Sequence, residues 1–298
     1  GMSRLFDGVT GITLAGGLVL SAGWAVAMTP TAPPGFVTEF PTSDTTLAAP
    51  RGIAVVGNTV AVADTNHNRI ALFGADGTDA GDFGETGSTR GKFQLPLDVA
   101  ISPTGFVVAD TGNDRVQRFD TEGEFVGKFN GSDSPFGAFD GPRAVAVDST
   151  GRIIVTEASA EVQIYSRRGK FLDYFGESGV GDGQFLWSTD LAVDSNDRII
   201  VLDPGTDRVQ VFDREGSHEL TFGRAGLDDG EFSWPTGVAV DDFDRIFVAD
   251  TNRDDVQVFD RNGVFLTKFG TSGSATGQFQ DPEAVAARGP LVFIVDAL

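Results

Sequence analysis

Pro235-Thr-Gly-Val-Ala-Val-Asp241, Ile246-Phe-Val-Ala-Asp250 and Val256-Gln-Val-Phe-Asp260 follow one another in quick succession. Each is a short run of β-branched, aromatic or small apolar residues that ends in Asp and is bounded by turn formers, the pattern of antiparallel strands joined by tight turns. A turn through Gly263 leads to a fourth run, Val264 to Phe269. A Gly-rich loop then ends near Gly277-Gln-Phe-Gln-Asp-Pro282, where the same order of runs begins again. Nothing in these units sustains the 3.6-residue apolar spacing of a helix.

The unit recurs along the chain. One acidic position follows the second run each time: Asp64, Asp110, Glu157, Asp203, Asp250 and Asp296. The spacing is about 46 residues, the length of a four-stranded propeller blade. A four-stranded sheet of this size is not stable alone, and packing such sheets face to face around an axis buries both surfaces. Parallel β-helices have shorter repeats. The expected fold is all-β, a β-propeller of four-stranded blades. Five full repeats cover about 50–281.

The same stretches, with Val108-Ala-Asp-Thr-Gly-Asn-Asp-Arg-Val-Gln-Arg-Phe119 and Ala63-Asp-Thr-Asn-His-Asn-Arg-Ile70, resemble NHL repeats, and the resemblance covers nearly the whole chain. It implies a six-bladed β-propeller around a central channel; seven blades, or a fragment of a longer array, are the alternatives. It says little about function, because propellers host many activities.

The ends fit the period less well. Residues 8–28 carry no charge and many apolar residues, which suits a leader or membrane anchor, and a leader would place the protein outside the cell or on its surface. A degenerate blade accounts for them better: Phe6 to Leu14 aligns with Phe139 to Val147, and five Gly residues weaken a membrane span. The C-terminal repeat stops after two strands. Trp24–Met28 and Phe36–Phe40 could supply its missing outer strands, or residues 6–40 could form a blade of their own. The expected organisation is one domain in which residues 6–40 and 282–298 contribute the closing blade or blades.

The formal charge is −21, and Asp supplies 32 of the 43 acidic residues. Such a charge opposes binding to nucleic-acid phosphates or anionic lipid surfaces. There is no Cys, so no disulfide or thiolate chemistry is available. The only His residues, His67 and His218, occupy different positions in different repeats, so the His-rich zinc site of related propeller lyases cannot be built. No nucleophile elbow, phosphate loop or Ser–His–Asp grouping is present.

Two sets of recurring residues remain. The strand-ending acid is followed five places later by Arg in Asp64/Arg69, Asp110/Arg115 and Asp203/Arg208, which suits a local structural pair. Val162 and Asp255 take the Arg place in two repeats, although Arg253 lies close. The second set leads into the first strand: Arg51-Gly52, Leu97-Asp98, Arg143-Ala144, Thr189-Asp190, Thr236-Gly237 and Glu283-Ala284. First strands line a propeller channel, so these residues belong at one channel mouth. Arg51, Asp98, Arg143, Asp190 and Glu283 are the candidate ligand-binding residues, with Trp187 and Trp234 just ahead of their strands. Asp98, Asp190 and Glu283 are also candidate oxygen ligands for Ca²⁺ or Mg²⁺. Phe93, Phe139, Phe185, Phe232 and Phe279 recur once per repeat, as packing between blades requires.

No catalytic residue is assigned. The expected function is a non-enzymatic binding or scaffold module that recognises a protein, peptide or saccharide on a face or channel mouth. The alternative is a divalent-metal-dependent lyase or lactonase with its site in the channel.

Overall fold

The computed structural model describes residues 17–22, 36–40 and 47–296. Each repeat becomes an antiparallel four-stranded sheet. The first blade runs Pro50–Val56, Thr59–Asp64, Arg69–Gly74 and Asp79–Phe83 in spatial order. The next four begin at Pro96–Ser102, Ala144–Val147, Asp190–Val193 and Pro235–Val240, and their strands lie side by side in chain order. Five blades are thus built of four consecutive strands, one fewer than the six that the resemblance implies.

A further four-stranded sheet draws on both ends of the chain. Pro282–Arg288 pairs with Leu291–Asp296, which pairs with Gly17–Ala22, which pairs with Phe36–Phe40. Phe36–Phe40 is the outermost strand, as the sequence suggests. The third strand is Gly17–Ala22 rather than Trp24–Met28. The latter segment, the alignment of residues 6–14 and the question of a leader over the rest of 8–28 lie outside the described residues. Among the described residues no helix is long and apolar enough to cross a membrane.

Burial explains the strand sequences. The middle strands are covered on both faces by neighbouring blades, so Ile246–Asp250 and Asp255–Phe259 are buried throughout. The outer strand Phe125–Phe129 alternates between partly covered and exposed residues, with period two. Apolar clusters fill the spaces between successive blades. One joins Ile53, Val62 and Phe73 to Ala284, Phe293 and Val295, so the C-terminal strand pair packs on the first blade. Another joins Phe247 and Val258 to Val285 and Ile294 and ties it to the fifth. The recurring Phe residues all sit in such clusters; Phe93, for example, lies 5.4 Å from the ring of Phe119.

The tight turn after the strand-ending acid closes on a residue in the left-handed region: Asn68, Asp114, Asp207 or Asp254. Asn and Asp tolerate that conformation better than other side chains. Their Oδ1 atoms then accept the amide of the next blade's lead-in loop, at Leu95, Gly141, Trp234 and Asp281. One turn therefore both reverses the chain and grips the neighbouring blade.

Candidate functional site

The first strands of the blades stand around the central channel. All seven residues selected from the sequence (Arg51, Asp98, Arg143, Trp187, Asp190, Trp234 and Glu283) line one cavity of about 550 Å³ there. Thr189 and Thr236, which complete the ring of lead-in residues, border it too.

The second residue of each lead-in is small because first strands approach closely. A Cβ on Gly237 would lie 2.7 Å from the Cα of Ala284, and one on Gly52 would lie 2.5 Å from the Cα of Asp98. Asp98 and Asp190 break this rule and use the space to bridge blades. Oδ1 of Asp98 accepts the amide of Val99 and Oδ2 that of Val145 on the next blade, both at 2.8 Å. Asp190 repeats the device, accepting Leu191 and, across the blade boundary, Val238, again at 2.8 Å. Both side chains keep some surface toward the channel, yet desolvation by the surrounding protein dominates their titration. It pushes Asp98 up to about 6, against the pull of its two amide bonds. It also raises Asp190 well above the ordinary range, and the negative charge of Asp98 adds to the rise.

Arg51 forms an ion pair with Glu283 across the boundary between the first blade and the C-terminal strand pair. Burial raises the Glu283 carboxyl, and the guanidinium beside it opposes the rise. Arg143 has no carboxylate partner among the described residues. Its guanidinium lies 4.9 Å above the ring centre of Trp187, and burial lowers its pKa. The Trp187 and Trp234 rings meet at 70°, centres 5.3 Å apart. Trp234 is 39% exposed. The rim is therefore an aromatic corner with one uncommitted cation above it.

The strand-ending acids are structural, as their spacing suggests. Asp64, Asp110, Asp203, Asp250 and Asp296 are fully buried, and Glu157 nearly so. Each accepts an amide from its own blade's lead-in; the donors to Asp110 and Glu157 are Gln94 and Asp140, both at 2.8 Å. Asp110 binds Nε of Arg115 at 2.6 Å, and the rest of that guanidinium donates to the carbonyls of Ser88, Thr89 and Lys92 in the interblade loop. Arg208 does the same with Val180, Gly181 and Gln184. Glu157 turns to Gln163 instead. In the fifth blade Asp255 stands directly across from Asp250. Arg253 bonds Asp255 at 3.2 Å and lies 3.7 Å from Asp250, but one oxygen of each acid has no hydrogen-bond partner. Burial, reinforced by the neighbouring carboxylate, pushes Asp250 up to about 7.

No group of three potential ligands that could hold a metal ion occurs among the described residues. The carboxylates expected to hold Ca²⁺ or Mg²⁺ already have partners. Both oxygens of Asp98 and of Asp190 are occupied by amides, and Glu283 is held by Arg51. The two His residues are far apart in role as well as in sequence: His67 bonds Asp64 and His218 bonds Thr221.

One feature of the rim escapes a reading of the lead-ins alone. Thr65, Thr111 and Thr251, next to a strand-ending acid, donate to the carbonyls of Pro96, Pro142 and Pro282 in the following blade. Ala158 and Pro204 replace this Thr in the third and fourth blades. The lead-ins carrying Trp187 and Trp234 therefore lack that clamp. The signal was present in the sequence, one residue beyond the acid.

Comparison with known proteins bears on the fold and on one repeat. The NHL repeat model matches residues 232–259. No curated protein sequence matches the chain. Among solved structures, one described as a streptogramin B lyase aligns at a TM-score of 0.61 and 12% identity, over 95% of this chain and 83% of its own. A Bacteroides thetaiotaomicron protein of unknown function aligns at 0.67 and 15%, over 86% and 68%. A Xanthomonas campestris gluconolactonase aligns at 0.58 and 16%, over 84% and 86%. At such identities the likeness is one of fold. The four-stranded sheets arranged around the channel make the chain a β-propeller, and residues 232–259 of it match the NHL repeat.

Proposed function

We propose that the chain is a non-enzymatic propeller module that binds a ligand at the channel mouth, beside the lead-ins of the third, fourth and fifth blades. The sheet assembled from both chain ends serves as the sixth blade and closes the ring in one domain. The observation that carries the reading is Arg143, a half-buried guanidinium without a carboxylate partner, stacked on Trp187 beside the exposed indole of Trp234. Desolvated cations and open aromatic faces are the usual anchors of recognition sites. A concave site of this volume suits a small molecule or the tip of a larger one. The ligand class is a saccharide, a peptide or a protein segment. The net charge of −21 disfavours nucleic acid.

The test is a glycan and peptide array probed with the wild type and with Trp187→Ala/Trp234→Ala. Retention of a ligand class by the wild type alone supports the reading. Equal retention by both proteins moves the site elsewhere.

The alternative, a lyase or lactonase using Ca²⁺ or Mg²⁺, draws on the activities of fold neighbours. It requires Asp98 and Asp190 to offer the lone pairs left over from their amide bonds, and Glu283 to turn from Arg51. Calorimetric titration of metal-stripped protein with each ion, repeated on Asp98→Ala/Asp190→Ala, separates the readings. Stoichiometric binding lost in the double variant favours the enzyme.

A further inference from the structure

The mouth departs from the repeat on one side only, and the departures coincide. Trp187 and Trp234 fill lead-in positions held elsewhere by Ala49, Leu95, Gly141 and Asp281. Ser188 stands where the other lead-ins have Pro50, Pro96, Pro142, Pro235 and Pro282. The buried hydroxyls without a partner, among the described residues, are those of Ser159, Ser188 and Thr189, all at the junction of the third and fourth blades. Local rules broken together in this way mark functional ground more often than drift.

Charge narrows the choice of ligand. Most described Arg residues pair with an acid, and Arg143 is one of the few that do not. Arg69, Arg115, Arg152, Arg198 and Arg245 each bind an Asp at 2.7 Å or less. The neighbouring Arg51 is cancelled by Glu283. Arg143 alone at the rim offers a desolvated fork of donors, and the partner matching that fork is a carboxylate, held through two parallel bonds. Beside it stands Trp234, 39% exposed, whose indole has the apolar area that the C–H face of a pyranose ring can cover. Thr189, Thr236 and the Arg51–Glu283 pair supply polar groups around the aperture. That setting matches a polyhydroxylated ring better than an apolar side chain.

We infer that the mouth binds a small sugar acid, a hexuronic acid as mono- or disaccharide, with its ring on Trp234 and its carboxylate on Arg143. The inference rests on the mouth being the ligand site. Small size matters because the chain as a whole repels a long polyanion. That repulsion is long-range and screened by salt, whereas the contact with Arg143 is short-range and partly desolvated. Affinity should therefore rise with ionic strength, the reverse of an exposed ion pair.

The experiment titrates the full chain with glucuronic and galacturonic acid disaccharides, their methyl esters, and N-acetylphenylalanine as a carboxylate without a sugar, following heat and tryptophan emission. The acids should bind with saturation. Esterification, Arg143→Gln and Trp234→Ala should each weaken binding by about tenfold or more, and raising salt from about 0.02 to 0.2 M should strengthen it. Arg143→Lys, which keeps the charge but not the fork, should fall between wild type and Gln; circular dichroism checks that each variant is folded. Equal binding of acid and ester, undiminished binding by Arg143→Gln, preference for N-acetylphenylalanine, or no binding of either acid overturns the inference. If the acids fail while an array ligand is lost on replacing both tryptophans, the mouth stands and the sugar-acid class falls. If array ligands bind regardless of those replacements, the mouth itself is wrong.

Discussion

Asp98 holds two amides from two blades with one carboxylate, in a place where ionisation is penalised. The pH dependence follows from the direction of that shift. Unfolded, the carboxyl releases its proton near its ordinary value of 3.8; folded, it keeps the proton up to about 6. Between these values the folded state binds more protons than the unfolded one, so its stability falls as pH rises. Asp190 contributes with the same sign. Asp98→Asn removes one titration and leaves one amide without a good acceptor. Chemical denaturation from about pH 4 to 7 should then show a loss of about 1–3 kcal/mol at the acid end and a flatter slope through the window. An unchanged slope would mean that Asp98 does not carry the dependence.

At the scale of the blade, the fifth unit is the test of how the repeat is held. Where the second blade has Asn113 and Arg115, it has Arg253 and Asp255. Two buried acids face each other, with one unbonded oxygen apiece. Arg253→Asn/Asp255→Arg copies the second blade into the fifth. It should stabilise the protein by about 1–3 kcal/mol above pH 7, where burial of Asp250 as an anion costs most, and by less at acid pH. A thermal melting series over pH reads both effects. The period, the strand runs and the Asp–Arg pairs behind this argument were legible in the sequence, because a repeat turns each position into a column that can be compared. The same logic brought Arg51, Asp98, Arg143, Asp190 and Glu283 to one mouth. It missed that Asp98 and Asp190 reach sideways for the amides of Val145 and Val238, since spacing along a strand fixes the side of a residue but not the direction of its polar atoms. It also missed the clamp lost at Ala158 and Pro204: the column beyond the acid shows the missing Thr, but spacing does not show that this hydroxyl reaches the next blade.

For the whole molecule, the question is how the ring shuts. The C-terminal strands pack between the fifth and first blades, and Leu291–Asp296 takes Gly17–Ala22 as its outer neighbour. Phe36–Phe40 takes the outermost place expected of it, but the period pointed to Trp24–Met28 for the strand within it, because both N-terminal runs are apolar and the period has decayed there. Removing residues 1–40 would bare the edge of that C-terminal strand, an invitation to pairing between chains. The shortened protein should melt lower by more than about 5 °C and associate on gel filtration. A monomer of unchanged melting temperature would show that closure does not depend on those strands.

Binding at the mouth is the claim on which the functional account turns, and the three tryptophans of the chain offer a direct view of it. The measurement is a nitrogen–proton spectrum of indole-labelled protein, assigned with Trp→Phe variants, during titration with the array-selected ligand and with a hexuronic acid disaccharide. The account predicts that the Trp187 and Trp234 indole signals move together and saturate. Saturable binding that leaves both Trp187 and Trp234 unmoved would contradict it.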